Sequence, residues 1–161
     1  MCGYPVKEVA GLREVKLIEL TDVVLNNVDN PLDGVESQVF DMELELEVGT
    51  AKTITLTFCK GLDEKVTITY YVDRRVLTLD TTQSGQVASY VVSSSVTPEN
   101  GMLTLRLTMD NSIVELFANG GIQSYHGFVF PSADAKAMSI NCDGGEAKLV
   151  SLTAWSMKDI H

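Results

Sequence analysis

Carboxyl side chains are the most numerous groups in this chain that could do chemistry, since 22 of its 161 residues are Asp or Glu. Two carboxyl groups held about 5 Å apart in a pocket can act as nucleophile and general acid. Glu43, Glu45 and Glu47 are spaced by two residues, which on a strand places all three on one face. Carboxylates on an open face are hydrated and repel one another, so this spacing favours a solvated acidic surface over a catalytic pair.

The other reactive side chains are few and scattered. Cys2, Cys59 and Cys142 include no C-x-x-C pair, and His126 and His161 stand apart from them. A structural zinc site needs about four clustered ligands, and His126 has no Ser or Cys partner at a spacing that suggests a catalytic triad. The sequence therefore predicts no metal site, no cofactor and no catalytic residue. It leaves open whether two of the three thiols form a disulfide.

Aromatic rings could stack against a sugar ring or pack against another protein surface. Tyr70 and Tyr71 are adjacent, so on a strand one ring points inward and the other outward. The outward ring of this pair is the better candidate for a contact, and Tyr125 is a further candidate. Trp155 lies in an apolar run near the end of the chain, a setting that favours core packing for so large a ring.

Glu115 is a charged residue between Val114 and Leu116. On an otherwise apolar strand, such a side chain either hydrogen-bonds to a neighbouring strand or faces a partner. Acids on strands commonly interact with cross-strand neighbours, which favours a structural role over a ligand-binding role.

The charge balance restricts the possible partners. Lys and Arg total 12 against 22 Asp and Glu, for a formal net charge of −10. Nucleic acids and anionic membranes bind basic patches that release counterions, so the sequence predicts neither partner. No apolar run approaches the roughly 20 residues that a membrane helix requires. A neutral ligand such as a sugar is compatible with this charge.

The segments that carry these side chains have apolar residues at every second position. This period is typical of strands with one buried and one hydrated face, and it runs through residues 40–48, 54–58, 66–70 and 103–109. The tripeptides Asp110-Asn111-Ser112, Asn119-Gly120-Gly121 and Asp143-Gly144-Gly145 tolerate the positive φ values of tight hairpins. The sequence therefore predicts one all-β domain of about ten to twelve strands, in two antiparallel sheets that form a jelly-roll-like, concanavalin-like β-sandwich.

Two segments fall outside this pattern. Residues 22–35 contain three Asn together with Pro31 and Gly34, a composition typical of a long surface loop. Residues 4–13 are the only stretch with helical character, and their length and their Pro and Gly indicate a connector or a single turn.

Several segments match, in order, the motifs of a known family. These are Pro5–Arg13 (P-x-x-E-l-x-x-L-R), the strand from Glu36-Ser37 (E-s-x-x-f-x-i-e-l), Leu79–Gly85 (L-D-R-x-x-S-G, with Thr81 in place of Arg), Met109–Gly121 (V-D-x-S-x-V-E-x-F-x-x-x-G), Phe130-Pro131 (F-P) and Leu152–Lys158 (L-x-x-W-x-l-k). Together they resemble the C-terminal β-sandwich module of glycoside hydrolase family 32, the β-fructosidases that include invertases, levanases and inulinases. No single motif is specific, but their common order makes coincidence an inadequate explanation.

The resemblance implies that residues 1–14 are a connector from a catalytic propeller that this chain lacks, and that residues 15–161 are the sandwich module. It also implies a parent enzyme that hydrolyses fructosyl bonds of sucrose, levan or inulin. The family's catalytic motifs, W-x-N-D-P-N-G, R-D-P and E-C, do not occur in this sequence. The expected function is that of a non-catalytic accessory module that stabilises the propeller and aids oligomerisation or shapes substrate subsites. The expected contacts with the propeller or with carbohydrate are Tyr70, Tyr71, Tyr125, Glu115 and Trp155.

Three hypotheses follow, and each predicts a different surface. An accessory module should expose a broad, partly apolar patch. An independent carbohydrate-binding module should have a groove or loop-end platform with one or two exposed aromatic rings. A self-association domain that forms a homo-oligomer should have a two-fold, self-complementary interface.

Overall fold

The computed structural model describes residues 13–83, 91–110, 112–119, 123–129 and 131–157. These ranges contain eleven strands: β1 (Arg13–Leu25), β2 (Val39–Glu47), β3 (Thr53–Lys60), β4 (Lys65–Tyr71), β5 (Val76–Gln83), β6 (Val91–Ser95), β7 (Met102–Asp110), β8 (Ile113–Ala118), β9 (Gln123–Phe128), β10 (Ala137–Asp143) and β11 (Ala147–Met157). The connector or turn predicted for residues 4–13 lies outside the described residues, apart from Arg13.

The strands form two antiparallel sheets. The six-stranded sheet has the order β1-β11-β2-β7-β8-β9, and the five-stranded sheet has the order β10-β3-β4-β5-β6. Non-consecutive neighbours such as β11 and β2 arise because the chain crosses between the sheets, in one case through the short turn of residues 144–146 between β10 and β11. The predicted all-β sandwich is confirmed, with a strand count inside the predicted range.

The core lies between the two sheets and is built from the inward residues of each alternating strand. Phe40 from the six-stranded sheet meets Phe58 from the five-stranded sheet edge to face, with ring centroids 5.9 Å apart. Full burial of a Leu or Phe side chain contributes about 1.5–3 kcal/mol. The period-two pattern therefore supplies most of the energy that holds the sheets together.

The segment predicted to be a surface loop, residues 22–35, is partly strand and partly buried. Strand β1 continues to Leu25, which is buried, and Leu32 has no exposed surface. The side-chain amide of Asn30 donates to the carbonyl oxygen of Met138 (2.9 Å) and accepts from the N–H of Ile140 (3.2 Å). Residues 26–35 contain no strand, as predicted. The prediction is wrong for residues 22–25, which continue β1, and for Leu32, which is buried because the Asn30 contacts hold the loop against the edge of β10.

The start of the sandwich also differs from the predicted boundary between residues 14 and 15. Strand β1 begins at Arg13, which pairs with Met157 of β11. Arg13 and Glu14 therefore belong to the six-stranded sheet, and the remainder of the predicted connector lies outside the described residues.

The hairpin predicted at Asp143-Gly144-Gly145 is wrong, because β10 and β11 lie in different sheets and do not pair. These residues instead form a tight turn that carries the chain from one sheet to the other, and the turn depends on its two glycines. Gly144 has a φ of 76°, and a Cβ there would lie 2.7 Å from Cγ of Lys52. A Cβ on Gly145 would collide with the backbone carbonyl oxygen of Thr50. This close approach holds the turn between β10 and β11 against the segment that precedes β3.

Replacing Gly145 with alanine is expected to lower the free energy of unfolding by about 1–3 kcal/mol, because the added carbon meets rigid backbone. Gly34→Ala is the matched control. Gly34 also has a positive φ, 87°, but a Cβ there has no atom within 4 Å, so only the smaller backbone strain applies. Urea denaturation of both variants measures the difference, and equal losses would contradict a steric role for the Thr50 contact.

The two described cysteines are free thiols. Cys59 and Cys142 are both buried and form no disulfide with each other, and Cys2 lies outside the described residues. Burial raises the pKa of the Cys59 thiol to about 12, with a smaller contribution from the charge of Glu64. Burial also raises the pKa of the Tyr70 hydroxyl, which donates to the carbonyl oxygen of Val96 at 2.6 Å.

These raised pKa values predict a loss of stability at alkaline pH. The folded chain keeps protons that the unfolded chain releases, so the stabilisation is complete below the ordinary pKa values of 9 to 10 and is lost as pH rises toward the folded values. Tyr70→Phe should cost about 1–2 kcal/mol at neutral pH, because it leaves the Val96 carbonyl unpaired. It should also make the free energy of unfolding fall less steeply as pH rises.

Denaturation between neutral pH and about pH 11 tests this expectation. Tyr71→Phe is the control, because Tyr71 is the outward neighbour on the same strand. A Tyr70→Phe variant with the same alkaline slope as the unmodified chain would show that this hydroxyl does not contribute.

Candidate functional site

The best-formed polar site lies on the outer face of the six-stranded sheet, centred on Asp41 of β2. Phe40 and Met42 point into the core, so alternation turns Asp41 outward. Its neighbours in register are Trp155 on β11 and Thr108 on β7. The sheet order thus places β2 where both adjacent strands can cover the Asp41 carboxylate.

Two arginines hold this carboxylate. Arg13 donates from Nε to Oδ2 of Asp41 at 2.7 Å, and Arg106 donates from Nη2 to the same oxygen at 2.8 Å and from Nε to Oδ1 at 3.2 Å. The Asp41 side chain has no exposed surface, and that of Arg106 is 7% exposed. Charged hydrogen bonds of this kind are about twice as strong as neutral ones.

Glu43 completes the group, which we call the arginine–carboxylate cluster (Arg13, Asp41, Glu43 and Arg106). Its Oε1 accepts from Nη2 of Arg13 at 3.0 Å and lies 3.3 Å from Nη1 of Arg106. The Glu43 side chain is 44% exposed, so its own bonds contribute little. The predicted solvated face is therefore wrong for Glu43, because the two arginines reach it from neighbouring strands.

Trp155 is not a core residue. Leu152 and Ala154 occupy the inward positions of β11, which turns the Trp155 ring outward, where it is half-buried. The guanidinium carbon of Arg13 lies 3.5 Å from the ring centroid, within the range of a cation–π interaction. The ring serves as a platform for Arg13, so the predicted core packing is wrong.

The tyrosine pair divides between core and surface. Tyr70 is 1% exposed and packs in the core, so it is unable to reach a ligand. Tyr71 points outward from the five-stranded sheet and is half-buried, with the guanidinium carbon of Arg74 at 4.3 Å from its ring centroid. Tyr71 and Trp155 therefore lie on opposite outer surfaces of the sandwich and do not form one platform.

The other two candidates lie on the hairpin of β8 and β9. Glu115 is half-buried and has bonding partners, and its register neighbours are Thr108 and His126. It lies in the same cross-strand row as Asp41 and Trp155. Tyr125 lies opposite Leu116 in the register, and its side chain is outside the described part of the chain.

Sequence reasoning did not single out Arg13, Asp41 or Arg106 as a site. The available signal was Arg106, a lone charge between Leu105 and Leu107 in an apolar run. Its partner Asp41 is 65 residues away in sequence, so only the pairing of β2 with β7 connects them.

Among the described residues, no group of three or more His, Cys, Asp or Glu is arranged to hold a metal ion. No helix within the same ranges is long and apolar enough to cross a membrane.

Large exposed apolar side chains are spread over the surface of the described ranges. They are Val15, Val24, Val28, Leu62, Val91 and Ile113. They lie on β1, β6 and β8 and in two loops, so they are not gathered on one face as the accessory hypothesis predicts.

These features define a small β-sandwich. Its best-formed polar site, the arginine–carboxylate cluster, joins strands of one sheet and does not form a ligand pocket. The sequence model of the family described as "Glycosyl hydrolases family 32 C terminal" matches residues 8–156. The chain belongs to this family.

The chain is similar to two groups of known proteins. A levanase from Bacillus sp. (strain L7) is 27% identical, and the match covers 97% of this chain and 18% of the levanase. A raffinose invertase from Escherichia coli is 28% identical, and the match covers 98% of this chain and 32% of the invertase. The exo-inulinase of Aspergillus awamori has a TM-score of 0.80 at 21% identity, covering 94% of this chain and 31% of its own. The fructan 1-exohydrolase IIa of Cichorium intybus has a TM-score of 0.80 at 17% identity, and the match covers 98% of this chain and 38% of the exohydrolase. The chain therefore spans about a fifth to a third of the length of these curated relatives.

Replacing Asp41 with asparagine is expected to destabilise the fold by about 3–5 kcal/mol, because two buried or half-buried guanidinium groups lose their counter-charge. Glu47→Gln is the matched control, since Glu47 lies on the same strand and face but is exposed; its effect should stay within about 0.5 kcal/mol. Chemical denaturation gives both values. A small effect of Asp41→Asn would mean that the cluster is not a stabilising latch.

Proposed function

We propose that this chain is the non-catalytic C-terminal module of a family 32 fructosidase, in which it packs against the catalytic domain and stabilises it. The observation that carries the proposal is the match of the family's C-terminal model to residues 8–156. The chain covers only 18% of one curated relative and 32% of another. A whole enzyme of this family therefore has room for a separate catalytic domain.

The acids of this chain support a non-catalytic role. A retaining glycosidase needs a nucleophile and an acid that can reach the substrate in a pocket. Asp41 and Glu43 are neighbours on one face, but Asp41 is fully buried and both share the same two arginines. Neither is placed to attack a sugar. The family's catalytic motifs are also missing from the sequence.

The names of the relatives support the substrate class of the parent enzyme. They are a levanase, a raffinose invertase, an exo-inulinase and a fructan exohydrolase. We infer that the parent hydrolyses fructosyl bonds in sucrose-type sugars or fructans, and that its reaction takes place in the catalytic propeller.

The outer face of the six-stranded sheet is the surface that we assign to the catalytic domain. The side chain of Arg13, at the start of β1, lies on this face. Trp155 and Glu115 share the same cross-strand row. Tyr71 lies on the opposite surface, which makes it a poorer candidate for this contact.

The test of the stabilising role is a chimaera in which this chain replaces the matching segment of the levanase from Bacillus sp. (strain L7). The chimaera should melt at a higher temperature than the levanase truncated before that segment, and it should retain more sucrose hydrolysis after heating. Because Arg13 lies on the face that we assign to the catalytic domain, Arg13→Ala should reduce this rise in melting temperature. Lys16→Ala, an exposed neighbour on β1, should leave it unchanged.

The isolated chain tests the non-catalytic role. Incubation with sucrose, inulin and levan should release no fructose, and calorimetry with the three sugars should give no saturable heat. Release of fructose by a pure sample would overturn the proposal. Saturable binding without hydrolysis would instead favour a carbohydrate-binding module.

A further inference from the structure

Strand β6 forms an open edge of the five-stranded sheet. One side of Val91–Ser95 pairs with β5, and the other side pairs with no described strand. An unpaired edge presents a row of backbone N–H and C=O groups to any other strand, so proteins commonly protect such edges with charges, bulges or covering loops.

The opposite edge of the same sheet, β10, is covered by the segment that follows β1. The N–H of Cys142 donates to the carbonyl oxygen of Asn26 at 3.0 Å, and the Asn30 side chain pairs with Met138 and Ile140. The outward backbone groups at alternate positions of β10 are therefore already bonded.

The long edge strand β1 is protected in a different way. It carries the charged residues Glu14, Lys16, Glu19 and Asp22. Two register irregularities near its start and a positive φ of 54° at Asp22 interrupt its regular edge. Another strand cannot pair along its whole length.

Within the described part of the chain, strand β6 has neither form of protection. In a chain with 21% charged residues, the 18 residues between Asp80 and Glu99 carry no charge. Within β6, Val91, Ser93 and Ser95 are exposed, and Val91 is 54% exposed. The register of β6 with β5 is continuous from Val91 to Ser95 and shows no bulge.

We propose that β6 pairs antiparallel with β6 of a second copy of this chain, so that two five-stranded sheets become one ten-stranded sheet. A two-fold axis would place Ser93 opposite Ser93 of the partner copy, and Val91 opposite Ser95. The Ser93 hydroxyl lies 2.8 Å from that of Thr78, so a row of hydroxyl groups would run across the joint. This inference does not depend on the proposed function.

The charges beside β6 are complementary under this two-fold arrangement. Ser95 pairs with Val76, directly after the exposed Arg75, whereas Val91 pairs with Asp80 at the other end. Antiparallel pairing brings the Arg75 end of one copy toward the Asp80 end of the other. The two ends are three strand spacings apart, roughly 14 Å, so their attraction should weaken as salt is added.

Five residues from each copy make a small interface. Interfaces well below about 1,000 Å² are typically weak and transient. We therefore expect a monomer–dimer equilibrium that appears between roughly 10 μM and 1 mM rather than a permanent dimer.

Sedimentation velocity across that concentration range tests the proposal with the whole chain. The average mass should rise from 17.5 kDa toward twice that value. Ser93→Lys should weaken association by about tenfold or more, because it places two like charges opposite each other at the axis. Val15→Lys is the control, since Val15 is 60% exposed on the other sheet's edge strand, and it should leave association unchanged. Both variants should melt like the unmodified chain.

A chain that stays monomeric throughout, or one that associates equally well with Ser93→Lys, would overturn the proposal. Cross-linking gives an independent measurement. In a Cys2→Ser background, Ser93→Cys should form a disulfide-linked dimer on air oxidation, whereas Thr104→Cys on the exposed face of the other sheet should not. The buried thiols Cys59 and Cys142 do not compete. Equal cross-linking of the two variants would likewise exclude β6 as the interface.

Discussion

The buried carboxylate of Asp41 is the constraint on which the six-stranded sheet depends. A charge with no exposed surface costs several kcal/mol in lost hydration unless good partners replace the water. Arg13 from β1 and Arg106 from β7 supply those partners, and Trp155 from β11 supports Arg13. The strands β1, β2, β7 and β11 must therefore be in the correct order and register before these contacts can replace the lost hydration of Asp41.

The core alone does not impose this order. Leu, Ile and Phe side chains on the inward faces can pack with many neighbours, and a strand that moves by two residues keeps its apolar face inward. A one-residue slip of β2 would turn Asp41 into the core and Phe40 to the surface. A two-residue slip would separate Asp41 from both arginines. Apolar burial thus holds the two layers together, whereas the cluster specifies how strands within one layer align.

This division explains how much of the structure the sequence could predict. Alternation in residues 40–48 and the turn residues at 110–112 and 119–121 are local signals, and they predicted strands and hairpins correctly. The glycines of residues 143–145 predicted a turn correctly, but local sequence does not show that this turn joins strands of different sheets. The cluster joins residues 28 and 65 positions apart, and no local pattern records such pairings. The predicted core position of Trp155 is wrong for a related reason, because its partner Arg13 comes from a distant segment. Asn30 lies in a loop as predicted, but its bonds to β10 also join distant segments.

The position of Arg13 also has a consequence for how such a module can be moved from one enzyme to another. The arginine–carboxylate cluster includes Arg13, which the sequence motifs place in the predicted connector. Its side chain crosses β11 to reach Asp41 on β2, the third strand of the sheet. A gene fusion or recombination event that joins at residue 15 would transfer the sandwich without Arg13, one of the two arginines that bond to Asp41. The transferable unit therefore begins with Arg13 at the start of β1, and grafted versions should carry this residue with them.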